Sequence, residues 1–395
     1  MLNESVVVFF YVDDIVFCYR KKEEVRTKAL IRELQKEYQM KILGELKWFL
    51  GIHVLRDRRR KQLWLSQEAF IEKIANQYEV DLTGRLPETP MNESELLPSP
   101  QSLTKAGRAS VLLYQRKTGS LLYAAITTRP DIAFAVSRLA RFNQNPSDEH
   151  HSAADRVIQY LYNTRGRAIT YGGGVEGRGS NGARAFICAS DASFADNTAD
   201  RKSSQGYVMM LFGGPIAWRA NKQDTVTTSS TEAELLALSQ TAKEAIFISR
   251  LFKAMTLRLN EPLIIDCDNT QTLRLIKEDT AKLITKLRHV DIHQHWLRQE
   301  YSNKRVLFQW KATKEMIADG LTKALPKQRF ENFVKMVGMV DIEERLRVEK
   351  RMEILKEEIQ ARKAAKDPEM MAILTHSTSK IASISKISKL RGCVG

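Results

Sequence analysis

Ser229-Ser-Thr-Glu-Ala-Glu-Leu-Leu-Ala-Leu238 opens a run whose apolar residues recur at helical spacing, and the spacing predicts one long helix over residues 231–255. On its N-terminal side lie three β-type runs. The first, 185–189, leads into Ala189-Ser-Asp-Ala-Ser193; the other two, 206–212 and 215–219, form a hairpin around Gly213-Gly214. On its C-terminal side come an apolar strand at 263–267 that ends in Asp266-Cys-Asp-Asn269, helices at 271–277 and 290–300, a strand at 306–310, and a helix at 315–337 broken at Pro326. Three successive strands, then helix, strand, helices, strand and helix, describe a mixed sheet with a helix packed on it. The fold class is therefore α/β (α+β).

Towards the N-terminus the pattern changes. Residues 6–10 and 15–19 are β-branched and aromatic runs, and Asp13 and Asp14 between them take the place of a tight turn. A helix is expected from Val25 to Tyr38, a strand at 48–54, and a further strand at 63–65 beyond the basic turn Arg56 to Lys61. Ser66 then reads as the cap of a helix reaching Tyr78. Pro87, Pro90, Pro98 and Pro100 mark residues 84–100 as a surface loop. Helices are expected at 120–128, 130–142 and 147–163, the last capped by Ser147. The Gly-rich stretch 172–182 has no Gly-Lys-Ser/Thr ending, so it reads as a connection rather than a phosphate-cradling loop. Residues 341–366 form one charged helix with Val348, Met352, Leu355 and Ile359 as a narrow apolar seam, and the Ser/Thr/Ile/Lys-rich tail beyond Pro368 is expected to be poorly ordered.

The chain has 395 residues and a formal net charge of +15, an excess that points to a polyanionic partner such as nucleic acid without saying whether the chain cuts, copies or binds it. The longest apolar stretch, residues 6–12, is far shorter than a spanning helix of roughly 18 residues, so no membrane partner is expected. That stretch leads straight into two aspartates and does not read as a secretory signal. The four cysteines are scattered without metal-type spacing, which fits an intracellular, reducing compartment.

Two sets of carboxylates could carry chemistry. Asp13 and Asp14, held between apolar strands, could ligate a hard cation such as Mg²⁺, although an Asp-Asp turn is common without one. Asp191, Glu234, Asp268 and Asp319 stand at strand ends and early in helices, where they can converge on one sheet edge. Dispersed acids taken singly are mostly solvated surface.

The local words add to this. Tyr11-Val-Asp-Asp14 between apolar strands, Leu43-Gly-Glu-Leu-Lys-Trp-Phe-Leu-Gly-Ile52, Leu65-Ser-Gln67, Gly119-Ser-Leu-Leu-Tyr123 and Thr127-Thr-Arg-Pro-Asp-Ile-Ala133 resemble the distal palm, and the region after it, of copia-type LTR retrotransposon reverse transcriptases. Further on, Ser190-Asp-Ala-Ser193, the Ser229 to Leu238 run, Asp266-Cys-Asp-Asn269 and Ala318-Asp-Gly-Leu-Thr-Lys-Ala-Leu325 resemble, in the same order, the ribonuclease H domain of those elements. So do Arg201-Lys-Ser-Ser-Gln-Gly-Tyr207, Gly214-Pro-Ile-Ala-Trp218 and His289-Val-Asp-Ile-His293.

The resemblance covers about Val6 to Met339. It implies a partial reverse transcriptase palm (1–83), a linker and helical thumb/connection region (84–171), a ribonuclease H-like domain (172–339) and a charged helix with a tail (340–395). It also implies a Pol polyprotein of a transposable element, working in a cytoplasmic particle or the nucleus. Its partners would be an RNA:DNA hybrid, template RNA, primer DNA and the upstream part of Pol, and its cofactor Mg²⁺ or Mn²⁺. In the implied site Asp191, Glu234, Asp268 and Asp319 are catalytic and ligate metal, Glu234 and Asp268 matching the family better than Glu232 and Asp266. Asp13 and Asp14 would ligate the polymerase metals.

This chain also departs from the family pattern. The polymerase site takes a further Asp from an upstream strand, and here only Glu4 precedes the YVDD, so the chain alone is not expected to polymerise DNA. Ser193-Phe194 stands where the family commonly has Asp-Trp. No His precedes Asp319, where cellular ribonucleases H carry a proton-shuttling residue; Lys311 and Lys314 are there instead. These lysines, together with Arg56, Arg58, Arg59, Arg60 and Lys61, are the candidate nucleic-acid contacts, the basic run being alternatively a solvated hairpin tip. His289, His293 and His295 read as part of a packed helix rather than a metal site. The competing reading of the whole is a nucleic-acid-binding relic without catalysis.

Overall fold

A computed structural model describes residues 6–98, 105–172, 184–257, 259, 262–278 and 288–364. Glu4, residues 173–182 of the Gly-rich stretch, Cys393 and the tail beyond Pro368 lie outside the described residues. Residues up to Asp341 form one unit and those from Ile342 another.

The N-terminal apolar runs pair as expected. β1 (Val6–Tyr11) and β2 (Asp14–Tyr19) are antiparallel with Tyr11 opposite Asp14, so Val12 and Asp13 alone make the turn. Val12 has φ 49°, the positive value that two-residue hairpin turns require. Phe9 and Tyr11 meet the ring of Phe49 edge-on at 5.7 and 6.3 Å, and α1 (Glu24–Glu37) follows the hairpin.

Residues 48–54, expected as one strand, are two. β3 (Trp48–Phe49) and β4 (Ile52–Asp57) are antiparallel, and Leu50 and Gly51 between them take φ of 50° and 73°. Gly51 lets the chain reverse inside an unbroken apolar run. β5 (Gln62–Ser66) pairs with β4, which makes the basic run a hairpin tip; Asp57 Oδ1 accepts from the amides of Arg59 and Arg60 at 3.0 Å each. Ser66 ends β5 rather than capping the next helix directly, but its Oγ accepts from the Glu68 amide at 3.3 Å as α2 (Glu68–Gln77) begins.

α3 (Arg108–Thr127) starts a dozen residues before the expected helix. A single 3₁₀ turn at Pro130–Ile132 leads to α4 (Ala133–Ala140), and Ser147 caps α5 (Asp148–Asn163) in a reciprocal box in which the Ser147 amide donates to His150 Nδ1 at 2.8 Å. β6 (Arg167–Gly172) was not anticipated.

Next come β7 (Phe186–Ser193), β8 (Ser204–Leu211), β9 (Gly214–Lys222), α6 (Ser230–Ala254), β10 (Ile264–Cys267), α7 (Thr270–Lys277), α8 (Arg288–Ser302) and β11 (Leu307–Trp310). Their sheet has the order β11-β10-β7-β8-β9. β7, β8 and β9 are antiparallel neighbours, and β10 is parallel to both β7 and β11. This is the mixed sheet the sequence describes.

The expected helix at 315–337 is α-helical only after Pro326, as α9 (Lys327–Met336); Thr313–Glu315 and Ile317–Leu321 are 3₁₀ turns. Gly320 sits where a Cβ would lie 2.5 Å from the Phe333 ring, so the turn presses flat against α9. β12 (Met339–Asp341), also unanticipated, returns to β6, and a second sheet of order β12-β6-β5-β4-β3 joins strands far apart in the chain.

The mixed sheet is buried on both faces, so β8 is buried from Ser204 to Met210 and its Tyr207-Val-Met-Met-Leu211 half is continuously apolar instead of alternating. Val208 and Met210 belong to a core with Leu121, Leu139, Val157, Leu161 and Phe333, whereas Tyr207 and Met209 belong to a core with Leu235, Leu238, Ile265 and Phe308. The second unit contains α10 (Glu343–Ala364), with Val348, Met352, Leu355 and Ile359 exposed on it. Among the described residues no helix is long and apolar enough to cross a membrane.

Candidate metal centre

β7 lies at the middle of the mixed sheet, and Asp191 near its end pairs in register with Gly206 of β8. A Cβ on Gly206 would lie 2.7 Å from Leu321 Cβ and 3.2 Å from Thr322 Cγ2, so the missing side chain lets the turn after Asp319 settle against the strand. Thr322 thereby donates its hydroxyl proton to Asp191 Oδ2.

Ser229 caps α6 by accepting from the Glu232 amide at 3.2 Å. Glu232 turns back to the cap, accepting from the Thr228 amide and hydroxyl at 2.7 and 2.8 Å. Glu234, two residues on, is carried to the β7 edge, where its Oε1 accepts from the Ala192 amide at 3.3 Å. The two acids at the end of β10 separate in the same way. Asp266 pairs with Arg184 at 2.5 Å, while Asp268, past the strand, accepts from the Thr313 hydroxyl at 2.8 Å, and its carbonyl accepts from Trp310 Nε1 at 3.2 Å.

Asp191, Glu234 and Asp268 each offer a carboxylate oxygen within 4.8 Å of the others, and this is the one such group of three or more potential ligands among the described residues. Burial pushes the Asp191 carboxyl up to about 6, with Asp319 and Asp268 adding to the rise against the pull of Lys323. Glu234 is raised well above its ordinary range, by burial first and then by Asp191 and Asp268. Its Oε2 is buried without a hydrogen-bond partner. Hard, clustered oxygen donors that repel one another and leave one buried oxygen unsatisfied fit a divalent cation such as Mg²⁺ or Mn²⁺.

Asp319 lies outside that group of three. It is buried, and its two oxygens are taken by Lys323 Nζ at 2.7 Å and Arg329 Nη2 at 2.6 Å. Asp13 and Asp14 stand exposed at the β1–β2 tip, apart from the cluster.

Among the basic residues, Lys311 pairs with Glu315 at 2.7 Å, directly after β11, and Lys314 is exposed beside Thr313. Arg58 pairs with Glu45 at 2.9 Å, and Arg56, Arg59, Arg60 and Lys61 are exposed on or beside the β4–β5 tip. His293 Nδ1 bonds the Ser239 hydroxyl of α6 at 2.8 Å, a packing contact between helices, whereas His295 is exposed and faces Asp291 of its own helix at 3.5 Å; the His289 side chain is outside the described residues.

Sequence reasoning missed Thr322, Thr313, Lys323 and Arg329. Thr322 and Lys323 stand inside the Ala318 to Leu325 word and could have been read from it. Thr313 and Arg329 carry no local signal.

Residues 2–92 match the family model described as reverse transcriptase (RNA-dependent DNA polymerase). The chain is 32% identical over 343 residues to the retrovirus-related Pol polyprotein from transposon TNT 1-94 of Nicotiana tabacum. That match covers 85% of this chain and 24% of the relative, so the chain spans about a quarter of the relative's length. It is 34% identical over 241 residues to a transposon Ty5-1 protein of Saccharomyces cerevisiae, covering 60% of this chain and 73% of that one. Among solved structures, LC11-RNase H1 in complex with an RNA/DNA hybrid aligns with 14% identity and a TM-score of 0.27, over 35% of this chain and 93% of that chain.

Proposed function

The chain belongs to the copia-type retrotransposon Pol family, and on that premise we propose that it is a divalent-metal-dependent ribonuclease H that cuts the RNA strand of RNA:DNA hybrids. The observation that carries the reading is the approach of Asp191, Glu234 and Asp268 to within 4.8 Å at the end of the central strands. Mg²⁺ or Mn²⁺ held by these three would supply a water acidified for attack and would neutralise charge on the departing oxygen.

The chain's own groups prepare the site. The Thr322 hydroxyl and the Ala192 amide hold Asp191 and Glu234 in orientation, and Thr313 and Trp310 fix Asp268. Lys323 and Arg329 neutralise Asp319, the fourth acid of the proposed site. Lys311 and Lys314 would grip hybrid phosphates.

In the reverse transcriptase portion, residues 1–83, Asp13 and Asp14 would serve polymerase metals. The basic β4–β5 tip would hold template RNA and primer DNA, with the remaining acid supplied by the upstream part of Pol. Residues 84–171 would serve as the connection, 172–339 as the ribonuclease H domain and 340–395 as an appendage.

One observation favours the reading of an inert nucleic-acid-binding relic: two cations already occupy Asp319. The test is cleavage of a labelled RNA:DNA hybrid in millimolar Mg²⁺, with hybrid binding measured in parallel. The unmodified protein should cut, and Asp268→Asn should bind the hybrid without cutting it. Binding without cleavage by the unmodified protein would establish the relic instead.

A further inference from the structure

The second unit carries a surface that the reaction does not use. Val348, Met352, Leu355 and Ile359 of α10 are 55%, 52%, 47% and 48% exposed. Their spacings of four, three and four residues place them on a single stripe, the alternation of a coiled-coil seam. Half-exposed side chains of this size, aligned over three helical turns, ask for a partner with the same repeat.

The flanking charges select which partner and which direction. With Val348 and Leu355 at d and Met352 and Ile359 at a, the g positions are Glu344, Arg351 and Glu358, and the e positions are Glu349, Lys356 and Lys363. Two parallel copies would set each g residue against the e residue five positions on. Glu344 then meets Glu349 and Arg351 meets Lys356, two like-charged matches.

Two antiparallel copies, centred so that Met352 of one packs on Leu355 of the other, set g against g and e against e. Arg351 then faces Glu358 of the second copy, twice by the two-fold symmetry, and both matches are opposite. Arg351 and Glu358 are exposed and available for this.

We infer that α10 is a self-association element through which two copies of this chain pair as an antiparallel helical dimer. Four apolar layers make a short seam, so the dimer forms at micromolar rather than nanomolar concentration. The inference is independent of the proposed reaction.

Sedimentation velocity on the full chain, from about 1 to 200 µM, tests it. The unmodified protein should pass from monomer to dimer. Arg351→Glu and Glu358→Arg, surface changes that leave the apolar seam intact, should each weaken the dimer by about tenfold because each places like charges together twice. An equimolar mixture of the two variants should recover the association, since every crossed g–g match is again opposite. A protein that stays monomeric throughout overturns the inference, as does a dimer indifferent to both variants. A dimer strengthened by Arg351→Glu overturns it too, because that is the parallel arrangement, in which the introduced carboxylate would meet Lys356.

Discussion

Replacing Asp191 by Asn should remove hydrolysis and, in the metal-free protein, increase stability at neutral pH. The folded state holds this carboxyl at about 6, against an ordinary value of 3.8, chiefly because the group is buried. A raised acid binds its proton more tightly in the folded than in the unfolded chain. The contribution of this group to stability is therefore greatest below 3.8, declines as pH climbs towards 6, and above 6 is lower by about 3 kcal/mol. Asn carries no charge and keeps an acceptor for the Thr322 hydroxyl, so that penalty disappears at a cost of about 1 kcal/mol for the weaker hydrogen bond. The expected gain is about 2 kcal/mol near pH 7.5 and close to nothing near pH 4.5. Urea denaturation of both proteins in EDTA at the two pH values measures it. Equal stability at pH 7.5, or the same gain at both values, would refute the argument that ionised Asp191 is held against its electrostatic preference.

Millimolar Mg²⁺ or Mn²⁺ should raise the melting temperature at pH 8, reversibly with EDTA, and the rise should shrink below about pH 6 as Asp191 takes up its proton; a thermal shift series over pH checks both. Asp131→Asn should cost about 3–5 kcal/mol in urea denaturation, because it strips the fully buried Arg129 guanidinium of a partner at 2.8 Å. Gly338→Ala should destabilise by about 1–3 kcal/mol, since φ there is +70° and a Cβ would stand 2.1 Å from the Gly213 carbonyl oxygen; melting of the purified variant measures it. Changing Arg58, Arg59 and Arg60 together to Ala should lower hybrid affinity and reduce the salt dependence of binding by about 2–3 in log–log slope, measured by fluorescence anisotropy across a salt series.

The fold was legible wherever the pattern was local. α6 is one 25-residue helix because its apolar residues repeat at helical spacing behind a Ser cap, and β7 to β9 were legible from β-rich runs separated by Gly213-Gly214. What failed was non-local. Arg167-Ala-Ile-Thr-Tyr-Gly172 is a short run with no turn signal of its own, and Met339-Val-Asp341 is only three residues long; each becomes a strand by pairing with the other, and β6 also by pairing with β5. The error at Leu50-Gly51 has the opposite origin. An apolar run reads as one continuous strand, but Leu50 and Gly51, with φ of 50° and 73°, fold it back on itself. In the helix expected at 315–337, Gly320 and Pro326 were both visible, yet the 3₁₀ turn at Ile317–Leu321 packs Gly320 against the Phe333 ring, a contact no local pattern encodes.

The candidate site divides along the same line, and residue parity explains why part of it could be read. Residues two apart in a strand share a face, so Asp266 and Asp268 would point the same way if β10 continued; the strand ends at Cys267, and that ending frees Asp268 to turn towards Asp191 while Asp266 stays with Arg184. In a helix, residues two apart point in nearly opposite directions, so once Glu232 faces its cap, Glu234 must face away from it, towards the sheet. Both choices were therefore open to reasoning from where an element begins or ends. The groups that complete the site, Thr313 and Arg329, reach it from elements 45 and 10 residues from the acids they contact, and Thr322 from 131 residues away. The Thr322 contact depends on the turn after Asp319 lying against Gly206, a tertiary packing event that local spacing does not specify. Substituting Gly206 with Ala should accordingly disturb Asp191 through Thr322 without touching a single carboxylate.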